Sequence, residues 1–123
     1  MNKSTPHKLG SDAELAAAAY LKQKGLRILE KNYRIRQGEI DIIAQDKDQL
    51  VFVEVKSSSN SNGWYPGERI DSRKRKHIQI TASQYISEHE IPAGGIRFDA
   101  ILMTTTVYKE WKIEHIVDAF RVE

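Results

Sequence analysis

Three side chains have the types and spacing to perform chemistry together: Asp41, Glu54 and Lys56. They lie in two β-prone runs, Glu39-Ile40-Asp41-Ile42-Ile43-Ala44 and Leu50-Val51-Phe52-Val53-Glu54-Val55-Lys56. Side chains alternate faces along a strand. Phe52, Glu54 and Lys56 therefore share one face of the second run, and Val51, Val53 and Val55 the other. In the first run Glu39, Asp41 and Ile43 share a face, with Ile40, Ile42 and Ala44 opposite. Asp46-Lys47-Asp48 reads as the turn between the runs. A loop of Lys47-Asp48, or of all four residues 46–49, pairs Ala44 with Val51 and Ile42 with Val53. The same register sets Asp41 opposite Glu54 and Glu39 opposite Lys56. A three-residue loop would oppose Asp41 to Val53 and spoil the apolar face, so the even loop is favoured.

Carboxylates facing each other across a ladder have β-carbons only ~4.5–5.5 Å apart and destabilise it. Ile43 and Phe52 on the same face sharpen that cost. The pair calls for a shared proton or a cation. Mg²⁺, with Mn²⁺ as a substitute, suits one or two carboxylates plus waters and phosphate oxygens. Lys56 could then hold an attacking water or neutralise charge developing on a phosphate. The competing account is a solvent-facing Glu54–Lys56 ion pair, since a lone E-x-K string is common. Asp41, set between isoleucines, favours the site.

Other elements must position these groups. Ser11-Asp12-Ala13-Glu14 has capping-box spacing, and the run Leu15 to Lys24 reads as a helix stopped by Gly25. Glu14 is then either the capping acid or a helix-borne acid that reaches the site. Glu39 either supports the site or pairs with Lys56. Leu26 to Ile35 reads as a strand and Gln37-Gly38 as a turn, so three strands form a meander. Residues 57–67 read as a mobile loop; Trp64 and Tyr65 within it either stack on unpaired bases or anchor the loop. Asp71 is placed to cap a helix over Ser72–His89, with Ile78, Ala82, Tyr85 and Ile86 on its apolar face. Ile96–Thr104 and Trp111–Ile116 read as two further strands. The order αβββαββ predicts an α/β fold, a mixed sheet of about five strands flanked by helices.

Arg69, Arg73, Lys74, Arg75 and Lys76 place five positive charges in eight residues. They suit a nucleic-acid backbone, or equally a solvated helix face. The net charge of +2 permits nucleic-acid binding without requiring it. A chain of 123 residues, 40% hydrophobic and 29% charged, suits one ordinary globular domain. Residues 1–10 are expected to be a flexible segment and residues 11–123 the single domain. No apolar run approaches the ~20 residues of a membrane span, and the N-terminus lacks a signal-like apolar stretch. A cytoplasmic location is the expectation. The absence of cysteine excludes disulfides and thiolate metal sites. His7, His77, His89 and His115 show no zinc-like spacing and are expected to be structural or exposed. No nucleophile-elbow serine or phosphate-cradling glycine loop is present.

The strings Gly38-Glu39-Ile40-Asp41-Ile42-Ile43-Ala44 and Val51-Phe52-Val53-Glu54-Val55-Lys56 resemble the core motifs of the YraN-like family of small bacterial proteins. Agreement extends to Glu14 before an alanine-rich helix, Tyr20-Leu21, Gly25, the basic segment Arg73 to Lys76, Arg97-Phe98-Asp99, His115 and Ala119-Phe120. It covers roughly residues 10–120. Ser57-Ser58-Ser59 stands where family members commonly carry a threonine and a basic residue. The resemblance implies a restriction-endonuclease-like fold with a core similar to archaeal Holliday-junction resolvases. It implies Asp41 and Glu54 as metal ligands, Lys56 as the catalytic lysine and Glu14 as a further acid. The expected function is Mg²⁺-dependent hydrolysis of phosphodiester bonds in DNA, branched DNA included; a two-fold homodimer would suit a junction. The rival expectations are a non-catalytic nucleic-acid-binding module and a protein-interaction domain.

Overall fold

The computed structural model describes residues 6–58 and 71–121; in residues 6–10 it describes the backbone only. The element order is α1 (Pro6–Gln23), β1 (Arg27–Ile35), β2 (Gly38–Asp46), β3 (Gln49–Ser58), α2 (Ser72–Glu88), β4 (Ile96–Thr105) and β5 (Trp111–Phe120). This is the expected αβββαββ order, with a five-strand mixed sheet ordered β1-β2-β3-β4-β5. Neighbouring strands run antiparallel except β3 and β4, which are parallel and joined by the α2 crossover.

The two helices cover opposite faces. Ala13, Ala17, Ala18 and Leu21 of α1 pack on Ile42, Ala44, Val51, Val53, Ile101 and Met103. Ile78, Ala82 and Tyr85 of α2 pack on Ile43, Phe52, Phe98 and Phe120, with Ile40 in the same cluster. A sheet covered on both faces explains why β2, β3 and β4 are nearly continuous apolar runs. Among the described residues, no helix is long and apolar enough to cross a membrane.

The helix ends show how sequence sets the elements. Gly25 adopts φ +98°, and the Leu26 N–H returns to the Leu21 carbonyl at 3.0 Å. That is a left-handed C-terminal cap, sealed by apolar contact between two buried leucines. Asp71 caps α2 as expected, its carboxylate accepting from the Lys74 N–H at 2.9 Å. The start of α1 differs. The helix begins at Pro6, a residue favoured in a first turn. Ser11 therefore lies inside the helix and no capping box forms there. Strand ends differ as well: β3 runs on through Ser57 and Ser58, which pair with Met103 and Thr104, and β5 continues to Phe120.

Candidate functional site

The β2–β3 hairpin has the expected two-residue loop, Lys47-Asp48. The ladder runs from Asp46↔Gln49 through Ala44↔Val51 to Ile42↔Val53. There it stops. Where the next rung would set Asp41 against Glu54, the Asp41 Oδ2 accepts the Val55 N–H at 2.7 Å. A side-chain carboxylate takes the place of a backbone carbonyl, and β2 splays from β3 while staying paired to β1. The expected backbone pairings Asp41–Glu54 and Glu39–Lys56 are therefore not made. The two carboxylates still meet, because their side chains share a hydrogen bond and repel one another.

A left-handed residue on β1 lies beside the splay. Lys31 pairs with Ile42 and Tyr33 with Ile40, which sets Asn32 beside Asp41. Asn32 has φ +55°, a left-handed conformation that asparagine tolerates. Facial alternation slips at this point. Ile42 and Ala44 face α1, yet Ile40 joins Ile43 on the α2 side, and so does Tyr33. The strict alternation expected for Ile40, Ile42 and Ala44 fails here, at the position paired beside the left-handed Asn32.

The slip lets both helices contribute. From α1, half-buried Glu14 hydrogen-bonds Asp41 and Asn32. From α2, the Lys74 Nζ lies 3.1 Å from the Glu54 Oε2. Gly38 permits the approach of α2: a β-carbon there would come within 2.6 Å of the Thr81 Oγ1. Gly38 reads as a turn residue in sequence; its role is close packing at the first position of β2.

The electrostatics record an excess of acid. Asp41 is 9% exposed and Glu54 7%. Burial, reinforced by the Glu54 charge, pushes Asp41 up to about 8. Burial and the charges of Asp41 and Glu39 push Glu14 up to about 7. Burial also raises Glu54, but Lys74 opposes it. Lys74 itself is held above its usual value: partial burial works against its charge and Glu54 outweighs that. Lys74 thus offsets charge at Glu54, while burial and the neighbouring acids work against charge at Asp41.

The remaining candidates separate. Lys56 is half-buried on the same side of β3 as Glu54. Glu39 forms its ion pair with Arg34 across the β1–β2 ladder, Nε to Oε2 at 3.1 Å, in place of the expected pairing with Lys56. The basic segment divides. Arg73, Arg75 and Lys76 line an open cavity of about 480 Å³ with Ser72, Gln79 and Arg121. Lys74 turns the other way, into the acidic cluster. Arg69, Trp64 and Tyr65 lie outside the described residues, as does most of the loop expected at 57–67.

Sequence reasoning missed the roles of Lys74, Asn32 and Arg121. Lys74 does carry a signal, since it precedes the buried Ile78 by four and so lies on the core-facing stripe of α2. Nothing in the sequence ties Arg121 to α2; that contact needs the completed sheet.

A second cluster of charges sits on β4. Asp99, 1% exposed, accepts from the Arg97 Nε and Nη2 at 2.9 and 3.0 Å and from the Asp118 N–H at 3.0 Å. The His115 Nε2 lies 2.8 Å from it. The Arg97 Nη1 continues to Asp46 and Gln49. Although burial alone would raise Asp99, these donors hold it below its usual value. On the far side of the ring the His115 Nδ1 lies 3.2 Å from the Tyr20 hydroxyl of α1. Here His115 is a structural residue, as expected.

Residues 13–103 match the model of the family described as "Uncharacterised protein family UPF0102". A UPF0102 protein of Clostridioides difficile is 48% identical over 112 residues, covering 90% of this chain and 95% of its own length. A UPF0102 protein of Chlorobium phaeobacteroides is 42% identical over 120 residues, covering 94% and 95%. One from Persephonella marina is 40% identical over 114 residues, covering 93% and 94%.

Proposed function

The chain belongs to family UPF0102, and from that premise we propose that it is a metal-dependent nuclease hydrolysing phosphodiester bonds in DNA. One observation carries this reading. Two buried carboxylates, Asp41 and Glu54, meet where the sheet splays open, with a third acid, Glu14, hydrogen-bonded to Asp41. Lys74 offsets Glu54 alone; three acids converging on one point form an arrangement that a structural role does not require and that a divalent ion would relieve.

The donor set fits a hard divalent ion. Among the described residues, no three acidic or imidazole groups form a ready-made cage. Mg²⁺ does not need one, since it keeps several waters and binds through one or two carboxylates plus substrate phosphate. Asp41 and Glu54 would hold it, with Glu14 supporting Asp41. Bound there, the ion would supply Lewis-acid activation of water and neutralise charge on the scissile phosphate.

The chain's own residues do the rest. The Val55 N–H fixes the orientation of Asp41. Lys56, two residues beyond Glu54 on the same face of β3, would orient the attacking water or stabilise charge on the phosphate oxygens. Arg73, Arg75, Lys76 and Arg121 line a cavity at the start of α2 that would take the phosphate backbone without reading sequence.

A second reading is a module that binds branched DNA without cutting it. It is favoured by Lys74, which already neutralises Glu54. The two separate on flapped, branched, single-stranded and duplex DNA incubated with Mg²⁺, Mn²⁺ or EDTA. The nuclease reading expects metal-dependent cleavage that falls about 10²-fold or more in Lys56→Ala, the scale of one lost electrostatic stabiliser, and is abolished in Asp41→Asn. Cleavage that survives in EDTA or in both variants would sink the mechanism. Binding without cleavage under every metal would favour the second reading.

A further inference from the structure

Lys74 is not used by the proposed reaction, yet it makes a close charged contact with the cluster. Its Nζ lies 3.1 Å from the Glu54 Oε2, and its side chain remains half-exposed. The backbone N–H of the same residue is tied to Asp71, so the main chain is fixed while the side chain can swing. Its sequence neighbours Arg73 and Arg75 face the basic cavity. An ammonium and a hydrated divalent ion cannot share one carboxylate edge without strong repulsion. We propose that Lys74 is a tethered, built-in cation that holds Glu54 until a divalent ion displaces it. This inference rests on the metal-site reading above.

The geometry supports exchange in preference to permanent pairing. A lysine ammonium is a compact, strongly hydrated charge on a flexible stem, unlike the planar fork of arginine. Half-exposed, the ammonium itself regains water readily on leaving Glu54. Glu54 is nearly buried and has no such exit. Departure of Lys74 therefore requires another cation, and the protein avoids an uncompensated buried carboxylate in either state. Lys74 competes for Glu54, so it weakens the first binding of metal. A released Lys74 ammonium would stand on the first turn of α2 beside Arg73 and Arg75.

Mn²⁺ binding to the full chain, measured by titration calorimetry at low salt, tests this directly. Lys74→Gln should bind Mn²⁺ at least about tenfold more tightly than the wild-type chain. Lys74→Arg, which keeps the charge and adds a bidentate fork, should bind Mn²⁺ no more tightly than wild type. Glu54→Gln should lose the site in either background. Wild-type binding with no gain in Lys74→Gln overturns the exchange and leaves the metal site standing. Weaker binding in Lys74→Gln also overturns it and makes Lys74 an aid to the ion. If neither wild type nor Lys74→Gln takes up Mn²⁺ at millimolar concentration, the exchange and the metal-site reading fall together. Circular dichroism of each variant confirms that the fold persists, and Lys74→Arg guards against misreading a packing defect as a charge effect.

Discussion

Two buried aspartates, Asp41 on β2 and Asp99 on β4, lie in one sheet and end in opposite electrostatic states. Asp99 is surrounded by donors: both arms of Arg97, His115 and the Asp118 N–H. It is held below the usual carboxylate range. Asp41 has one backbone donor and three acidic neighbours, Glu14, Glu39 and Glu54, and is pushed up to about 8. The fold can neutralise a buried carboxylate when its role is architectural. At Asp41 burial and acidic neighbours work against the charge, and a single backbone donor opposes them.

Removing the carboxylate from the satisfied cluster should have the largest effect. Asp99→Asn removes the charged acceptor that Arg97 and His115 share and leaves Arg97 with Asp46 and Gln49. Breaking a buried, paired charge costs about 3 kcal/mol or more, readable as a large fall in the chemical-denaturation midpoint. A loss below about 1 kcal/mol would mean that Asp99 does not hold β4, β5 and α1 together.

The pH response should divide the two regions next. Asp41 and Glu14 bind protons more tightly folded than unfolded. The folded chain therefore holds more protons between the ordinary carboxylate range and about 8, so stability falls as pH rises through that window. Asp99 has the opposite sign: its contribution is present above the usual aspartate range and is lost as pH falls below it. In EDTA, thermal stability should decline from pH 5 to pH 8. Asp41→Asn should flatten that decline and gain more than about 1 kcal/mol at pH 8, close to the free energy of a tenfold change in proton affinity. Mg²⁺ at pH 8 should stabilise the wild-type chain and leave Asp41→Asn unchanged. A flat wild-type profile in EDTA would contradict an unbalanced site.

The smallest effect should come from Tyr20→Phe, which removes the hydroxyl at the His115 Nδ1. About 1 kcal/mol is expected for one net hydrogen bond. Because Tyr20 and Glu14 share α1, the variant also asks whether the satisfied cluster steadies the unsatisfied one. Unchanged Mn²⁺ affinity would show that the clusters act independently.

Much of this contrast is legible in the sequence. The parity of the Lys47-Asp48 loop sets the β2–β3 register, because a one-residue slip would turn Ile42 and Ala44 outward. Asp71 announces its helix by side-chain chemistry alone, and Gly25 announces the end of another. The end of the ladder at Ile42↔Val53 is not legible. It goes with a left-handed Asn32 on the neighbouring strand and with a carboxylate replacing a carbonyl, both set by tertiary contact. The start of α1 departs from expectation because Ser11-Asp12-Ala13-Glu14 satisfies a local pattern that the helix overrides from Pro6. The Asp99 cluster is half visible, since Arg97 and Asp99 sit two apart on one strand face. His115 joins them when β5 pairs with β4, and Tyr20 only once α1 docks.

The parallel pairing of β3 with β4 bears on how the chain folds. The β1–β3 meander closes through short turns, and hairpins of this kind form in about 1–10 μs. Leu50 finds Ile96 only after the whole α2 crossover has been threaded between them, and such non-local closure is slow. Refolding should therefore protect the amides of the β1–β3 meander from hydrogen exchange before those of the β3–β4 pairing, so the strands bearing Asp41 and Glu54 are expected to meet before Lys74 reaches them.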